Sequence, residues 1–188
     1  DEYWHLSQKP ARLLDRAERA FILDHFFSIS HDTGIRPRTR YWTLFRRARS
    51  GHAHIDDFSD DDFRDLQTLF NLAWFGFAAR IEYPLISELE RKGGGFSEDE
   101  KRKVLDLQLA VLKRIFRSYS KLADRGQVEM TATPYYHPIL PLIIDSEVAE
   151  RCQPQRPRPE RFAWPEDAKA QVESALVSHE RNFGQRPQ

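Results

Sequence analysis

A single cysteine, Cys152, and a single methionine, Met130, stand in the whole chain. One cysteine excludes an internal disulfide and fits a reducing, cytoplasmic setting. Net charge is missing too: 29 lysines and arginines meet 29 aspartates and glutamates. That balance removes the electrostatic case for DNA, RNA or an anionic membrane as partner. No uncharged stretch approaches the length of a membrane span. The opening DEYWHLSQKP has neither the basic start nor the apolar run of a signal peptide. No internal repeat is visible. What remains is a globular composition, 40% hydrophobic and 12% aromatic, long enough to bury a core, so one domain is the default.

Helical spacing dominates. Leu13, Leu14, Ala17, Phe21 and Ile22 predict a helix over 11–29, and a second follows over about 38–49 with Tyr41, Trp42, Leu44 and Phe45. Its arginines Arg46, Arg47 and Arg49 read as a solvated face or a favourable helix C-terminus. Ser59 is a helix cap, with Asp60, Asp61 and Asp62 filling the first turn. Phe63, Leu66, Phe70 and Trp74 form the apolar stripe of that helix, widened by Leu69, Leu72, Ala73 and Phe75. Asn71 within it needs a hydrogen-bond partner. Residues 77–91 continue as helix, broken near Pro84. Ser97 and Glu100 form a capping box for a helix running to about Asp124. One face of it carries Val104, Leu107, Val111, Ile115 and Leu122, with Leu105, Leu109, Leu112 and Phe116 alongside. The last helix starts at Pro165 and stops at Gly184.

Two stretches suggest ligands without specifying them. HAHIDD, 52–57, has His-x-His spacing and two acids, but it matches no strong metal motif. Three glycines, 93–95, lack the strand and the Gly-Lys-Ser/Thr ending of a phosphate-binding loop, and read as a turn.

The chemically loaded stretch is GQVEMTATPYYHPILPLIID, 126–145. Residues 127–132 alternate and predict the chain's one clear strand. Pro134, Pro138 and Pro141 then block regular strand or helix. Glu129 can accept hydrogen bonds. Tyr135 and Tyr136 can stack on an apolar ligand face or donate a hydroxyl, and His137 can donate or accept near neutral pH. A packed aromatic corner, with Glu129 in a salt bridge, is the plainer alternative. Asp145 could pair with Glu129 as acid and base on loop proximity alone.

GQVEMTATPYYHPILPLIID resembles a conserved region of glycoside hydrolase family 57. DLQTLFNLAWF, 65–75, is similar to an upstream helix found in many members. The tail FAWPEDAKAQVESALVSHERNFGQRPQ is similar to the segment leading to the family's nucleophile strand. The resemblance covers nearly all of the chain. It implies an α-rich segment of an incomplete (β/α)7-type barrel, mainly α, with five or six helices and one strand. It further implies 1–125 as a helical region, 126–145 as strand and active-site loop, and 146–188 as a proline-rich connector and helix.

The implied activity is retaining hydrolysis or transfer at α-glucosidic bonds in an α-amylase-like parent enzyme, with maltooligosaccharides as substrate and no cofactor or metal. Glu129, Tyr135, Tyr136 and His137 carry over as substrate-binding residues. No catalytic residue does. The resemblance places the nucleophile glutamate and the general-acid aspartate in later motifs, and a His-Gln-Pro motif earlier. The chain, which does not start with methionine, is therefore expected to be an internal piece, inactive alone and prone to self-associate. The rival readings are a non-catalytic helical interaction module and a metal-dependent polysaccharide deacetylase with His52, His54 and His137 as ligands.

Overall fold

A computed structural model describes residues 1–52 and 54–187. Ala53, inside the HAHIDD stretch, and Gln188, the last residue of the connector-and-helix region, lie outside the described residues. The α-helices are α1 (Glu2–Gln8), α2 (Arg16–His25), α3 (Thr39–Ala48), α4 (Asp60–Ala73), α5 (Phe77–Glu82), α6 (Pro84–Lys92), α7 (Glu98–Asp124), α8 (Leu140–Ile144) and α9 (Pro165–Phe183). Short 3-10 segments lie at Ala11–Leu13, Ile55–Asp57 and Ser146–Arg151, and a π turn at His31–Ile35. The fold is mainly α, and it divides into two compact units, Asp1–Leu112 and Lys113–Gln188. The boundary falls inside α7.

The first unit is organised around α4. Ser59 and Asp62 exchange the two bonds of a capping box at its start. Phe63, Leu66, Leu69 and Leu72 are buried, and so is Phe75 just beyond the helix. Tyr3 of α1 stacks on Phe26 and Phe70, which pack against each other at 4.6 Å between ring centroids. Tyr41 of α3 is fully buried and donates its hydroxyl to the Phe26 carbonyl at 2.5 Å. Burial pushes the Tyr41 phenol well above its ordinary range.

A buried polar network closes this core. Asn71 donates to Ser7 Oγ and to the Gln67 carbonyl, both at 2.8 Å. Gln67 donates to the carbonyls of Leu6 and Lys9 and accepts from Lys101, which also bonds the Lys9 carbonyl at 2.7 Å and pairs with Glu98 at 2.8 Å. These side chains satisfy carbonyls that α1 leaves open at its C-terminus. Burial pulls the Lys101 ammonium below its usual range, against the pull of Glu98.

Several expectations change here. The helix expected over 11–29 is interrupted. Asp15 accepts from the Glu18 amide and Glu18 accepts from the Asp15 amide, a capping box that restarts the helix at Arg16. Trp74 ends α4 58% exposed rather than within the buried stripe. Arg47 is less solvated than its pattern implies: its guanidinium lies 4.2 Å from the Phe58 ring centroid, bonds the Asp57 carbonyl and pairs with Asp62. In α7, Val104 and Leu105 are buried, with Leu107 and Val111 packed against the core, but Leu109, Leu112, Ile115 and Phe116 are exposed.

The second unit has little interior. Its buried side chains among the described residues are Ala168, Ala175 and His179 of α9. Gly126 ends α7 in a left-handed conformation, φ 65°, with its amide on the Ala123 carbonyl. The strand expected over 127–132 does not form, and among the described residues there is no β-strand. The alternating pattern suits a strand, but a strand needs a neighbour to take its backbone bonds, and none is offered. Accordingly the barrel segment is not seen. The prolines also do not bar helix altogether. Pro141 occupies the first turn of α8, where its missing N–H costs nothing.

Candidate functional site

The loop 131–139 is anchored by α9. The Tyr135 amide donates to the Gln171 carbonyl at 3.1 Å, and the Tyr136 amide donates to Gln171 Oε1 at 2.8 Å. One glutamine thus clamps two consecutive backbone donors. The two tyrosine rings meet edge to face, 4.9 Å between centroids, and Tyr136 is 79% exposed. His137 follows with φ 57°, the one non-glycine residue with positive φ among those described, and its amide donates to the Pro134 carbonyl at 2.8 Å. That tight turn points the chain into α8. A left-handed histidine is uncommon and persists only where its surroundings hold it.

Glu129 lies on the irregular segment before the loop and is exposed. Among the described residues no hydrogen bond or ion pair holds its carboxylate. A cavity of about 420 Å³ adjoins the loop, lined by Ala132, Thr133, Pro134 and Leu140 with Val172 and Leu176 of α9. The side chains of Glu129, Tyr135, Tyr136 and His137 do not line it.

Asp145 is committed elsewhere. It accepts from both Arg161 Nε and Nη2, at 3.2 and 2.7 Å, and from the Glu147 amide. The Arg161 guanidinium holds its carboxyl below the ordinary carboxylate range, helped by the Glu147 amide. A carboxylate so engaged is a loop brace rather than the acid partner of Glu129. Ser146 and Phe162 exchange bonds at 2.8 Å, and the Trp164 amide donates to the Ile143 carbonyl, so the proline-rich connector is tied back onto α8.

The histidines at 52 and 54 join no metal cluster: among the described residues no three His, Cys, Asp or Glu side chains are arranged to hold an ion. His54 instead sits at the start of the Ile55–Asp57 turn, with its amide on Asp57 Oδ2 at 2.8 Å. No helix among the described residues is long and apolar enough to cross a membrane.

The family model described as glycosyl hydrolase family 57 matches residues 1–188. The chain belongs to that family. Membership of family 57 supports glycoside hydrolase or glucanotransferase action on α-glucans in general. No curated protein and no solved structure matches the chain.

Two residues that matter here escape a reading by sequence. Gln171 gives no signal, because a glutamine on an amphipathic helix looks like solvent polarity. Lys101 looks like part of a wet face, yet it is buried.

Proposed function

We propose that this chain forms part of a retaining glycoside hydrolase or glucanotransferase acting on α-glucans, and that 126–145 supplies part of the wall that binds maltooligosaccharide. The observation that carries the reading is the family match over the entire chain. The exposed tyrosine pair, held through its backbone by Gln171, adds physical support: pinned rings lose little freedom on stacking against a pyranose. Glu129 would accept from sugar hydroxyls, and His137 would donate or accept beside it.

Retention needs two carboxyl groups about 5–5.5 Å apart, one nucleophile and one general acid. The family resemblance assigns neither to these 188 residues, so the catalytic pair belongs to other motifs of the parent enzyme, and the barrel with it. The isolated chain would then not turn over α-glucans. Exposed apolar side chains, among them Ile115, Phe116, Ile139, Ile144 and Trp164, favour self-association of the isolated chain. The lone Cys152 is exposed and free, consistent with a reducing, cytoplasmic setting.

The test is kinetic. In the parent enzyme, Glu129→Gln and Tyr136→Ala should each lower kcat/KM on maltoheptaose by about tenfold or more, the loss of one charge-assisted or stacking contact. Unchanged kinetics in both would remove the loop from the site.

A further inference from the structure

A cavity of about 1160 Å³ lies in the first unit, far in sequence from the tyrosine loop. Its walls come from the π turn, α3, α4, α5 and the turn after α6. Three features make it a built surface. The first is a pair of guanidiniums held in place by one carboxylate. Glu90 Oε1 accepts from Arg38 Nη2 at 2.6 Å and also from Arg80. Arg38 further donates to the Gly34 carbonyl, and Arg80 Nε to the Phe75 carbonyl at 2.9 Å. The second is Arg40, fixed between Asp65 at 2.8 Å and Asp62 at 2.6 Å. Arg40 packs so closely under Gly94 that a Cβ there would meet its Cγ at 3.0 Å, so the glycine turn is shaped to the arginine beneath it. The third is Phe77, a lining residue with its side chain 89% exposed, where a folded chain gains nothing by leaving a phenyl ring in water.

We infer that this cavity is an accessory α-glucan-binding site, with Phe77 as the stacking ring and the Arg38–Glu90–Arg80 and Arg40–Asp65 pairs as the hydroxyl-binding groups. The inference rests on the α-glucan reading of the family and concerns a different part of the chain. A neutral polyol needs donors and acceptors side by side, and an aromatic face for its C–H surface. The cavity has all of these: guanidiniums, the carboxylates Glu90 and Asp65, and Phe77. Arg91 and Lys92 also line the cavity and leave it with more cations than carboxylates, so it is the acceptors and the phenyl ring, not net charge, that favour a polyol, and inorganic phosphate is the control. The guanidinium orientations are set before any ligand arrives, because carboxylates and backbone carbonyls hold them, so binding costs little side-chain entropy.

The experiment is a titration of the 188-residue chain with maltoheptaose, read by amide and side-chain NMR shifts, on the wild type, Phe77→Ala and Tyr136→Ala. Phe77 is so exposed that its removal leaves the fold intact, which circular dichroism would verify. The expected result is a set of shifts centred on Phe77, Arg80, Gly94 and Thr43. These should weaken about tenfold in apparent affinity in Phe77→Ala and be unaffected in Tyr136→Ala. Shifts confined to 129–137 would overturn this site and leave the proposed cleft standing. Shifts confined to the Phe77 set would support this site. Equal binding by wild type and Phe77→Ala would overturn it, as would a response of the same residues to inorganic phosphate but not to maltoheptaose. No shift anywhere would overturn this site, whereas the cleft reading, which concerns the parent enzyme, stands or falls with its kinetic test.

Discussion

The two units spend their apolar residues in opposite ways. In Asp1–Leu112, the aromatic and aliphatic side chains of α2, α3 and α4 interlock around Phe26, Tyr41, Phe63 and Phe70, and Tyr41, Gln67 and Asn71, which follow them inside, are hydrogen-bonded. In Lys113–Gln188, Phe116, Tyr119, Tyr135, Ile139, Ile144, Phe162 and Trp164 are all exposed. The first unit carries its own hydrophobic driving force, and the second is held by backbone bonds and a few side-chain braces such as Gln171 and Arg161. The resemblance-carrying motif sits on the unit with little interior, where Gln171 and Arg161 brace the chain in place of a core.

The widest contrast should appear under protease. Trypsin should cut after Arg125, Arg151 or Arg161 more than about a hundredfold faster than at any site in 1–112, because opening costs scale with local packing. Mass spectrometry of an early digest reads the order of cuts, and equal rates in both units would abolish the contrast.

Core truncation comes next. Phe63 is fully buried, so Phe63→Ala should destabilise the first unit by about 3–5 kcal/mol, measured by urea unfolding. The matching change in the second unit, Phe116→Ala, removes a ring that touches Phe183 at 5.6 Å but is 47% exposed, and should cost less than about 1 kcal/mol. Similar losses would mean the second unit has a core after all.

Tyr41→Phe isolates one buried bond. It leaves the Phe26 carbonyl without its hydroxyl donor, and about 1–2 kcal/mol should go with it. Thermal unfolding of the variant beside the wild type measures this.

The smallest effect is in acid. Burial pushes the Asp62 carboxyl up, but the Ser59 amide and Arg40, with Arg47 adding to them, outweigh it and hold the group below its ordinary value of 3.8. The unfolded chain therefore binds the proton first as pH falls. The stabilisation is complete above 3.8 and is lost as pH drops through the lower folded value. Asp62→Asn should be less stable than wild type at neutral pH, and the two should converge in Tm as pH is taken from about 5 to about 2. A constant gap would show that Asp62 acts through shape alone.

Much of the first unit was legible in advance. Ser59 with its three aspartates, the capping box of Ser97 and Glu100 and the break at Pro84 are local devices, each satisfied within a turn of chain, as is the stop at Gly184 in the second unit. Local devices can be read from a sequence because both partners of every bond lie within a few residues. The family too was legible, since the residues that carry it are contiguous.

What only the tertiary structure decided is whichever partner lies far along the chain. The apolar face of α7 is one helical pattern throughout, yet only its first half is covered, because α4 and its neighbours reach no further. Lys101 is buried because the carbonyl of Lys9, 92 positions earlier, and Gln67 accept from it. The alternating stretch 127–132 has the composition of a strand and remains irregular, because pairing is a property of two segments and no segment among the described residues pairs with it. Sequence settles what one segment can do; which surface it meets is settled by the rest of the fold.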